Sequence, residues 1–214
     1  MNQLDLIPRS QEQIAPGVWH VPDWLPIDQQ NAVLTLLRHC TRKGWYTPKM
    51  LNGTPMKHPI ACIGLQWRPY EYYEARVPVP GEFILMAVQA LIDTNLQRYL
   101  PFTPDTGIVN MFPLGSSLGL HQDKSEDQPL IDAGSPIVTV SLGDSGMFRL
   151  GNVAHRDPPY KDIELRSGDL LVMSGHSRLA YHGITEILPN TCPADLEMQS
   201  PGRISLTMRR AKEE

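Results

Sequence analysis

An imidazole and a carboxylate stand two positions apart in the segment Gly119-Leu120-His121-Gln122-Asp123-Lys124. Side chains at positions i and i+2 of an extended strand point to the same side, so His121 and Asp123 can face one metal ion. One histidine and one carboxylate are two of the three ligands in 2-His-1-carboxylate sites, which bind Fe(II) and leave positions open for substrate and O₂. The pattern therefore predicts an oxygenase-type metal site if a second histidine joins them from downstream.

Three downstream histidines are candidates for that third ligand: His155, His176 and His182. His155 and His176 stand in polar segments that read as loops. His182 follows an apolar run, Leu179 to Tyr181, and precedes Gly183, so we expect it at the end of a strand beside a turn. We therefore favour His182, with His176 as the second choice. Zinc is the rival metal, because similar ligand sets serve zinc hydrolases, but the sequence has no HExxH helix to support it.

The last apolar segment of the chain alternates strictly between polar and apolar residues. A strand with this pattern presents two faces of opposite character. Two guanidinium groups on one face suit a dicarboxylate, because arginine binds carboxylates through paired hydrogen bonds. Together with a metal, they indicate a 2-oxoacid co-substrate such as 2-oxoglutarate, whereas a solvent-facing edge strand is the simpler alternative. The polar face would carry Arg203, Ser205, Thr207 and Arg209, and the apolar face Ile204, Leu206 and Met208.

Composition bounds the class of protein without identifying it. The chain has 214 residues, of which 41% are hydrophobic and 20% charged, as is typical of one globular domain. The net charge of −4 does not show the overall basic footprint of many nucleic-acid-binding proteins, so phosphate contacts would require a local basic patch. Three widely spaced cysteines and the absence of an apolar leader or membrane-length segment predict a cytoplasmic protein that does not contact membranes.

The order of patterns predicts an α+β fold that is mainly β. Amphipathic helices are expected over residues 28–43 and 82–99, with a segment rich in proline and aromatic residues between them. After Pro104, short β-type runs alternate with turns, which is typical of a jelly roll. We therefore expect a helical N-terminal extension over 1–104 and a jelly-roll core over 105–214, packed as one unit. The expected strands cover 108–112, 118–122, 137–142, 147–150, 163–165, 170–173, 179–181 and 204–208.

Together these motifs resemble the AlkB family of Fe(II)/2-oxoglutarate-dependent nucleic-acid dealkylases. The resemblance extends over most of residues 108–210 and is weaker around 62–67. It implies a double-stranded β-helix core, with an aromatic-rich lid for nucleotide recognition. The matching segments are Val109-Asn110-Met111-Phe112, His121-Gln122-Asp123-Lys124, Ser135 to Gly143, Ser177 to Gly183 and Arg203 to Arg209.

The resemblance also implies roles for individual residues. Iron would be held by His121, Asp123 and His182. Arg203, helped by Asn110, would pair with the distal carboxylate of 2-oxoglutarate. Arg209 would lie near the end of the co-substrate that chelates the iron, among the catalytic residues.

Three positions depart from the pattern of the family. Phe112 stands where the family often has tyrosine, so one hydroxyl contact to the co-substrate is missing, and Ser205 stands where asparagine is common. Both positions are still expected to belong to the co-substrate site. Ser125 stands where the bacterial archetype has an aspartate near the target base, which leaves the base preference open.

The activity that the resemblance implies is oxidative demethylation of bases such as 1-methyladenine or 3-methylcytosine in DNA or RNA, with release of formaldehyde, succinate and CO₂. The substrate would be an alkylated single strand or a flipped base, because a base inside a duplex cannot reach a buried metal, and we expect a monomer. Candidate substrate-binding residues are Trp67, Tyr73, Lys124 and Ser125. Two alternatives stay open: a hydroxylase of the same chemistry acting on a protein or small molecule, and a non-catalytic metal-binding β-barrel.

Overall fold

A computed structural model describes residues 8–50 and 52–213. The sequence predicts an irregular lead-in over residues 1–26 with one short extended piece at 17–21, and residues 1–7 lie outside the described part. The extended piece forms β2 (Val18–Val21), but the segment before it is not irregular, because β1 (Glu12–Ala15) pairs with β2 in a hairpin. Gly17 turns this hairpin with a φ of +79°, a conformation that glycine adopts without steric cost. β1 is too short and too mixed in character to stand out in the sequence.

Three helices are present in the described residues: α1 (Ile27–Thr41), α2 (Gly81–Asp93) and the short α3 (Gln128–Asp132). The first agrees with the expected helix over 28–43. The second ends six residues before the expected end at residue 99, because Asn95 takes a left-handed φ of +57° and a separate 3₁₀ turn follows at Gln97–Tyr99. Asparagine is among the few residues that tolerate this conformation, and it commonly terminates helices.

The strands form two antiparallel sheets and one separate hairpin, which confirms the jelly roll. Besides β1 and β2, the strands are β3 (Ile60–Gly64), β4 (Gln66–Arg68), β5 (Glu71–Tyr73), β6 (Thr106–Phe112), β7 (Leu118–His121), β8 (Ile137–Gly143), β9 (Ser145–Leu150), β10 (Lys161–Leu165), β11 (Leu170–Met173), β12 (His182–Leu188) and β13 (Arg203–Arg209). The large sheet has the order β1-β2-β11-β8-β13-β6-β3, the small sheet has the order β10-β9-β12-β7, and β4 pairs with β5 alone.

The strand expected over residues 179–181 is wrong. Residues Gly175–Leu179 form a 3₁₀ turn instead, and the next strand begins at His182. The turn directs the guanidinium of Arg178 inward, where it pairs with the buried carboxylate of Glu126 across 3.2 Å. His182 is therefore the first residue of a strand, not the last.

Strands from both sides of the expected boundary at residue 104 share the large sheet. β1 and β2 extend one end of it, and β3 pairs with β6 at the other end. The N-terminal part is thus integrated into the sheet, while the division into 1–104 and 105–214 stays a prediction.

Two hydrophobic clusters cover the two faces of the large sheet. Helices α1 and α2 pack on its outer face, with Leu34, Phe83 and Leu206 fully buried there. Between the sheets lies a second cluster, which includes Phe148 and Leu171. Within residues 8–50 and 52–213, no helix combines the length and apolar character that crossing a membrane requires.

Candidate active site

His121, Asp123 and His182 come together at one end of the small sheet. His121 ends β7 and His182 begins β12, and the two are cross-strand partners in these paired strands. Their potential ligand atoms and a carboxylate oxygen of Asp123 all lie within 4.8 Å of one another. Each imidazole places Nδ1 near a backbone carbonyl, that of Gly119 at 3.0 Å and that of Ala180 at 2.9 Å. Donation from Nδ1–H leaves both Nε2 atoms with free lone pairs directed at the carboxylate, so the three residues could hold one cation.

The protonation states also suit a metal site. Burial, reinforced by the nearby His121, lowers the pKa of His182 to about 4, so its imidazole is neutral near pH 7. Burial alone would raise the pKa of Asp123, but Arg209 and the two imidazoles outweigh that effect and lower it. Metal ligands must be deprotonated to bind, and these two are. The alternative histidines lie elsewhere, since His155 and His176 are both exposed and outside this group.

A buried chain of charges supports the carboxylate of Asp123. Nη1 of Arg209 lies 3.0 Å from Oδ1 of Asp123 and 2.8 Å from Oε1 of Glu126. Arg178 approaches the same Glu126 oxygen and also donates to the backbone carbonyl of Asp123. Burial disfavours the charged form of Arg209, yet Asp123 and the neighbouring acidic groups raise its pKa well above the usual range. Arg209 therefore stays charged and orients Asp123.

A cavity of about 850 Å³ opens next to the three metal-site residues. The polar side chains of β13, Arg203, Ser205, Thr207 and Arg209, all line it. The alternate residues Leu206 and Met208 are buried in the cluster under the helices. The alternation read from the sequence is confirmed, and the polar face lines an internal cavity and not the solvent.

Arg203 is a buried cation in the wall of this cavity, and it has no ion pair among the described residues. Its side chain donates to the backbone carbonyl of Leu165 and to the hydroxyl of Ser141, but Nε has no hydrogen-bond partner. Burial lowers its pKa to about 10. Its Cδ and Nε would lie only 3.0 and 3.1 Å from a Cβ at Gly146 on β9, so the small sheet leaves room for it by carrying glycine there. An uncompensated buried guanidinium fits a carboxylate ligand.

Asn110 and Phe112 on β6 lie beside this arginine. Asn110 is the register partner of Ser205 and donates from Nδ2 to its hydroxyl at 3.3 Å, and Phe112 is the register partner of Arg203. The ring of His58 lies 4.1 Å from that of Phe112 between centroids. The cavity is lined by all four of these neighbours of Arg203: His58, Asn110, Phe112 and Ser205.

Trp67 and Ser125 face each other at the outer end of the cavity. Trp67 Nε1 donates to Ser125 Oγ at 3.2 Å, and Tyr70 packs edge-on against the indole. Lys124 is exposed and also lines the cavity. Tyr73 does not line it, since its ring lies under the guanidinium of Arg68 on the outside of the β4–β5 hairpin. The structure thus places three of the four substrate-binding candidates at the cavity, with Tyr70 in place of Tyr73.

Sequence reasoning missed four residues of this site: His58, Glu126, Gly146 and Arg178. Glu126 and Arg178 are separated by more than fifty positions, and their pairing depends on the 3₁₀ turn at Gly175–Leu179, next to the strand that was expected over 179–181. Gly146 has no side chain, and this leaves room for the side chain of Arg203. His58 could have been suspected from spacing, because it stands two residues before the buried Ile60 and shares its orientation toward the cavity.

Comparison with known proteins agrees with this site. The sequence model of the 2OG-Fe(II) oxygenase superfamily matches residues 17–209. An AlkB homologue of Caulobacter vibrioides, described as an alpha-ketoglutarate-dependent dioxygenase, is 34% identical over 93% of this chain and 90% of its own length. The DNA N(6)-methyladenine demethylase ALKBH1D of Arabidopsis thaliana is 33% identical over 92% of this chain, which spans about half the length of that relative.

Solved structures show the same fold. OsALKBH1 superposes with a TM-score of 0.83 at 29% identity, covering 93% of this chain and all of the other. A prolyl-4-hydroxylase of Pseudomonas putida, at 18% identity and a TM-score of 0.57 over 92% of this chain and 94% of its own, shares the fold alone.

The fold and the His-Asp-His group define an Fe(II)- and 2-oxoglutarate-dependent dioxygenase. Within that superfamily, the chain belongs to the AlkB family. This class uses iron as cofactor and 2-oxoglutarate and O₂ as co-substrates, and the residues present fit them: two imidazoles and a carboxylate for the metal, and a buried guanidinium with an unpaired Nε for the dicarboxylate.

Proposed function

We propose that this chain removes methyl groups oxidatively from nitrogen atoms of nucleic-acid bases. The observation that carries the proposal is the arrangement of one cavity. Inside it lie a metal-ligand group and a buried arginine with an unpaired Nε, and at its outer end an indole is held by a hydrogen bond. The demethylase and AlkB names of the relatives from Arabidopsis and Caulobacter support it.

In this proposal His121, Asp123 and His182 hold Fe(II). When bound, the iron with 2-oxoglutarate and O₂ supplies the oxidising power that hydroxylates an N-methyl carbon, while the co-substrate leaves as succinate and CO₂. The hydroxylated methyl group then departs from the base nitrogen as formaldehyde. Arg209 keeps Asp123 ionised and oriented, as its 3.0 Å contact with that carboxylate supports.

Arg203 receives the distal carboxylate of 2-oxoglutarate in this scheme, with Asn110 and Ser205 as hydrogen-bonding neighbours. Phe112 contributes an apolar wall in place of a hydroxyl. The support is that the Nε of Arg203 is buried and unpaired, a state that costs free energy until an acceptor arrives. The protein therefore supplies binding and orientation, and the cofactor supplies the oxidation.

The target base would stack on Trp67 near Ser125, with the β4–β5 hairpin as the recognition lid and Tyr73 on its outer side. Stacking of a base on an aromatic ring contributes about 1–3 kcal/mol. Lys124, which is exposed and lines the cavity, would meet the phosphate backbone. Because the metal group lies inside the cavity, the base must come from a single strand or be flipped out of a duplex. We further propose that the chain acts as a monomer in the cytoplasm, and its three free cysteines are consistent with a reducing compartment.

Formaldehyde release from methylated oligonucleotides tests the function. The panel contains 1-methyladenine, 3-methylcytosine and N6-methyladenine, each in single-stranded DNA, double-stranded DNA and RNA, with Fe(II) and 2-oxoglutarate supplied. We expect release from at least one single-stranded member and none from the unmethylated strand. Turnover of 2-oxoglutarate without formaldehyde from any member would contradict the proposal and point to a protein or small-molecule acceptor.

A further inference from the structure

His58 is a buried polar residue that the proposed chemistry does not use. It precedes β3, is 1% exposed and lines the cavity. Its Nε2 lies 3.1 Å from Oδ1 of Asn110, and one face of its ring packs against Phe112. No hydrogen-bond partner for Nδ1 occurs among the described residues. A buried imidazole in this position needs a reason, because burial of an incompletely paired polar group is costly.

The hydrogen bonds around Asn110 define which atom of His58 carries the proton. The carboxamide of Asn110 donates from Nδ2 to Ser205, so Oδ1 is the oxygen that faces His58 and can only accept. The contact therefore requires an Nε2–H donor. Burial lowers the pKa of His58, which favours the neutral imidazole with one proton. The single proton at Nε2 is consistent with the lack of a partner at Nδ1.

This contact fixes the orientation of the Asn110 carboxamide. An asparagine amide can turn by half a rotation with little change in shape, and its hydrogen-bond partners decide which end points where. With Oδ1 held by His58, the NH₂ group has one hydrogen on Ser205 and a second that the described residues leave unpaired. Asn110 lines the cavity on the strand next to that of Arg203. An N–H in that position is a donor for an anionic ligand, whereas a carbonyl oxygen there would repel it.

We infer that His58 is a positioning residue of the 2-oxoglutarate site, which holds the Asn110 carboxamide with its NH₂ group available to the co-substrate. The contact with Phe112 fixes the imidazole plane and shields it from water. The proposed role of His58 concerns the binding of 2-oxoglutarate, so it does not depend on which substrate is demethylated.

Three variants separate the hydrogen bond from packing. In His58→Gln the amide nitrogen reaches about as far as Nε2, and in His58→Asn only about as far as Nδ1. His58→Phe keeps a ring against Phe112 but has no donor. Binding of 2-oxoglutarate is measured by calorimetric titration into the Mn(II)-loaded protein. Manganese suits carboxylate-containing sites, and it replaces iron so that binding can be measured in air without turnover. Mn(II) affinity and thermal midpoint are recorded in parallel.

We expect His58→Phe and His58→Asn to weaken 2-oxoglutarate binding about five- to tenfold, as loss of one buried hydrogen bond does. His58→Gln should stay within about twofold of the wild type, and Mn(II) affinity should not change. In an Asn110→Ala background, His58→Phe should have no additional effect, since both act through one group.

The inference is overturned if His58→Phe binds 2-oxoglutarate like the wild type, if the glutamine and asparagine variants behave alike, or if the effects of His58→Phe and Asn110→Ala add. Should the phenylalanine variant fail to fold, the glutamine–asparagine pair still decides, because both are neutral amides that differ only in reach.

Discussion

The indole Nε1 of Trp67 donates to the hydroxyl oxygen of Ser125 across 3.2 Å, which links the β4–β5 hairpin to the loop that follows Asp123. Since that oxygen accepts from the indole, the hydroxyl hydrogen of Ser125 remains available to donate to a ring nitrogen of a base. Lys57, Lys124 and Arg156 also line the cavity, in which Asp123 is the one described carboxylate.

This charge distribution predicts a preference for an uncharged methylated base, such as N6-methyladenine, over the cationic 1-methyladenine. Ser125→Asp should raise kcat/KM for 1-methyladenine relative to N6-methyladenine in the same single strand by about tenfold, because it adds an anion beside the base. Ser125→Asn, which has the same shape without the charge, is the matched control. Equal ratios for the aspartate and asparagine variants would show that charge at this position does not select the base.

His182→Ala should abolish both Mn(II) binding and 2-oxoglutarate turnover, because it removes one of three ligands from a group confined within 4.8 Å. Calorimetric metal binding and succinate formation measure the two effects. His176→Ala is the control, since that exposed side chain lies outside the group and should leave both unchanged. Survival of metal binding and turnover in His182→Ala would refute the ligand assignment and make His176 the next candidate.

Gly146→Ala should weaken 2-oxoglutarate binding several-fold without changing metal affinity. The added Cβ would lie 3.0–3.4 Å from three atoms of the Arg203 side chain, closer than ordinary contact, so the guanidinium must shift. Titration of 2-oxoglutarate into the Mn(II)-loaded protein measures the change. Gly81→Ala, whose Cβ would meet nothing within 4 Å, should bind like the wild type. An unaltered affinity in Gly146→Ala would mean that Arg203 can move without loss.

Asp169→Asn should destabilise the fold and reduce its pH dependence. The buried carboxylate accepts hydrogen bonds from Arg9, His20 and two backbone N–H groups, those of Asp23 and Arg166. Loss of one partner from a buried charge pair costs about 3–5 kcal/mol of unfolding free energy. Urea unfolding at pH 7 measures this cost.

The sign of the pH effect follows from the pKa of Asp169. Burial would raise this pKa, but His20, Arg9 and the backbone donors lower it below the ordinary aspartate value of 3.8. The ionised carboxylate therefore stabilises the fold above about pH 4, and this contribution is lost as the pH falls through the lowered pKa. The difference between wild type and Asp169→Asn should shrink at pH 3. A difference that is the same at pH 3 and pH 7 would contradict this account.

The parts of the site that follow local rules were predictable from the sequence. The period-two pattern of β13 placed Arg203 and Arg209 on one face, since a buried apolar face leaves a strand one orientation. The spacing of His121 and Asp123 predicted a shared direction for the same reason. His182 lies with His121 and Asp123 as expected, although it begins a strand and does not end one. The apolar run before it and the glycine after it were enough to indicate the end of a strand.

What local rules could not supply were contacts between distant segments. His58 meets Asn110 because β3 pairs with β6, and Glu126 meets Arg178 because a 3₁₀ turn at Gly175–Leu179 directs that side chain inward. The hairpin of β1 and β2 joins the large sheet through β11, a pairing partner about 150 positions away. Such pairings depend on the whole topology and leave little trace in a short window of residues.

The two ends of the proposed co-substrate site lie on different sheets. The metal-site histidines belong to the small sheet, whereas Arg203 projects from the large sheet and crosses to Gly146 opposite. The reach from metal to guanidinium is therefore set by rigid packing between β-layers, which keep a nearly constant spacing in folded proteins. If Arg203 receives the distal carboxylate as proposed, we expect 2-oxo diacids with one methylene fewer or one more to bind less well than 2-oxoglutarate. Sheet separation would then select the length of the carbon chain, independently of any hydrogen bond to the ligand.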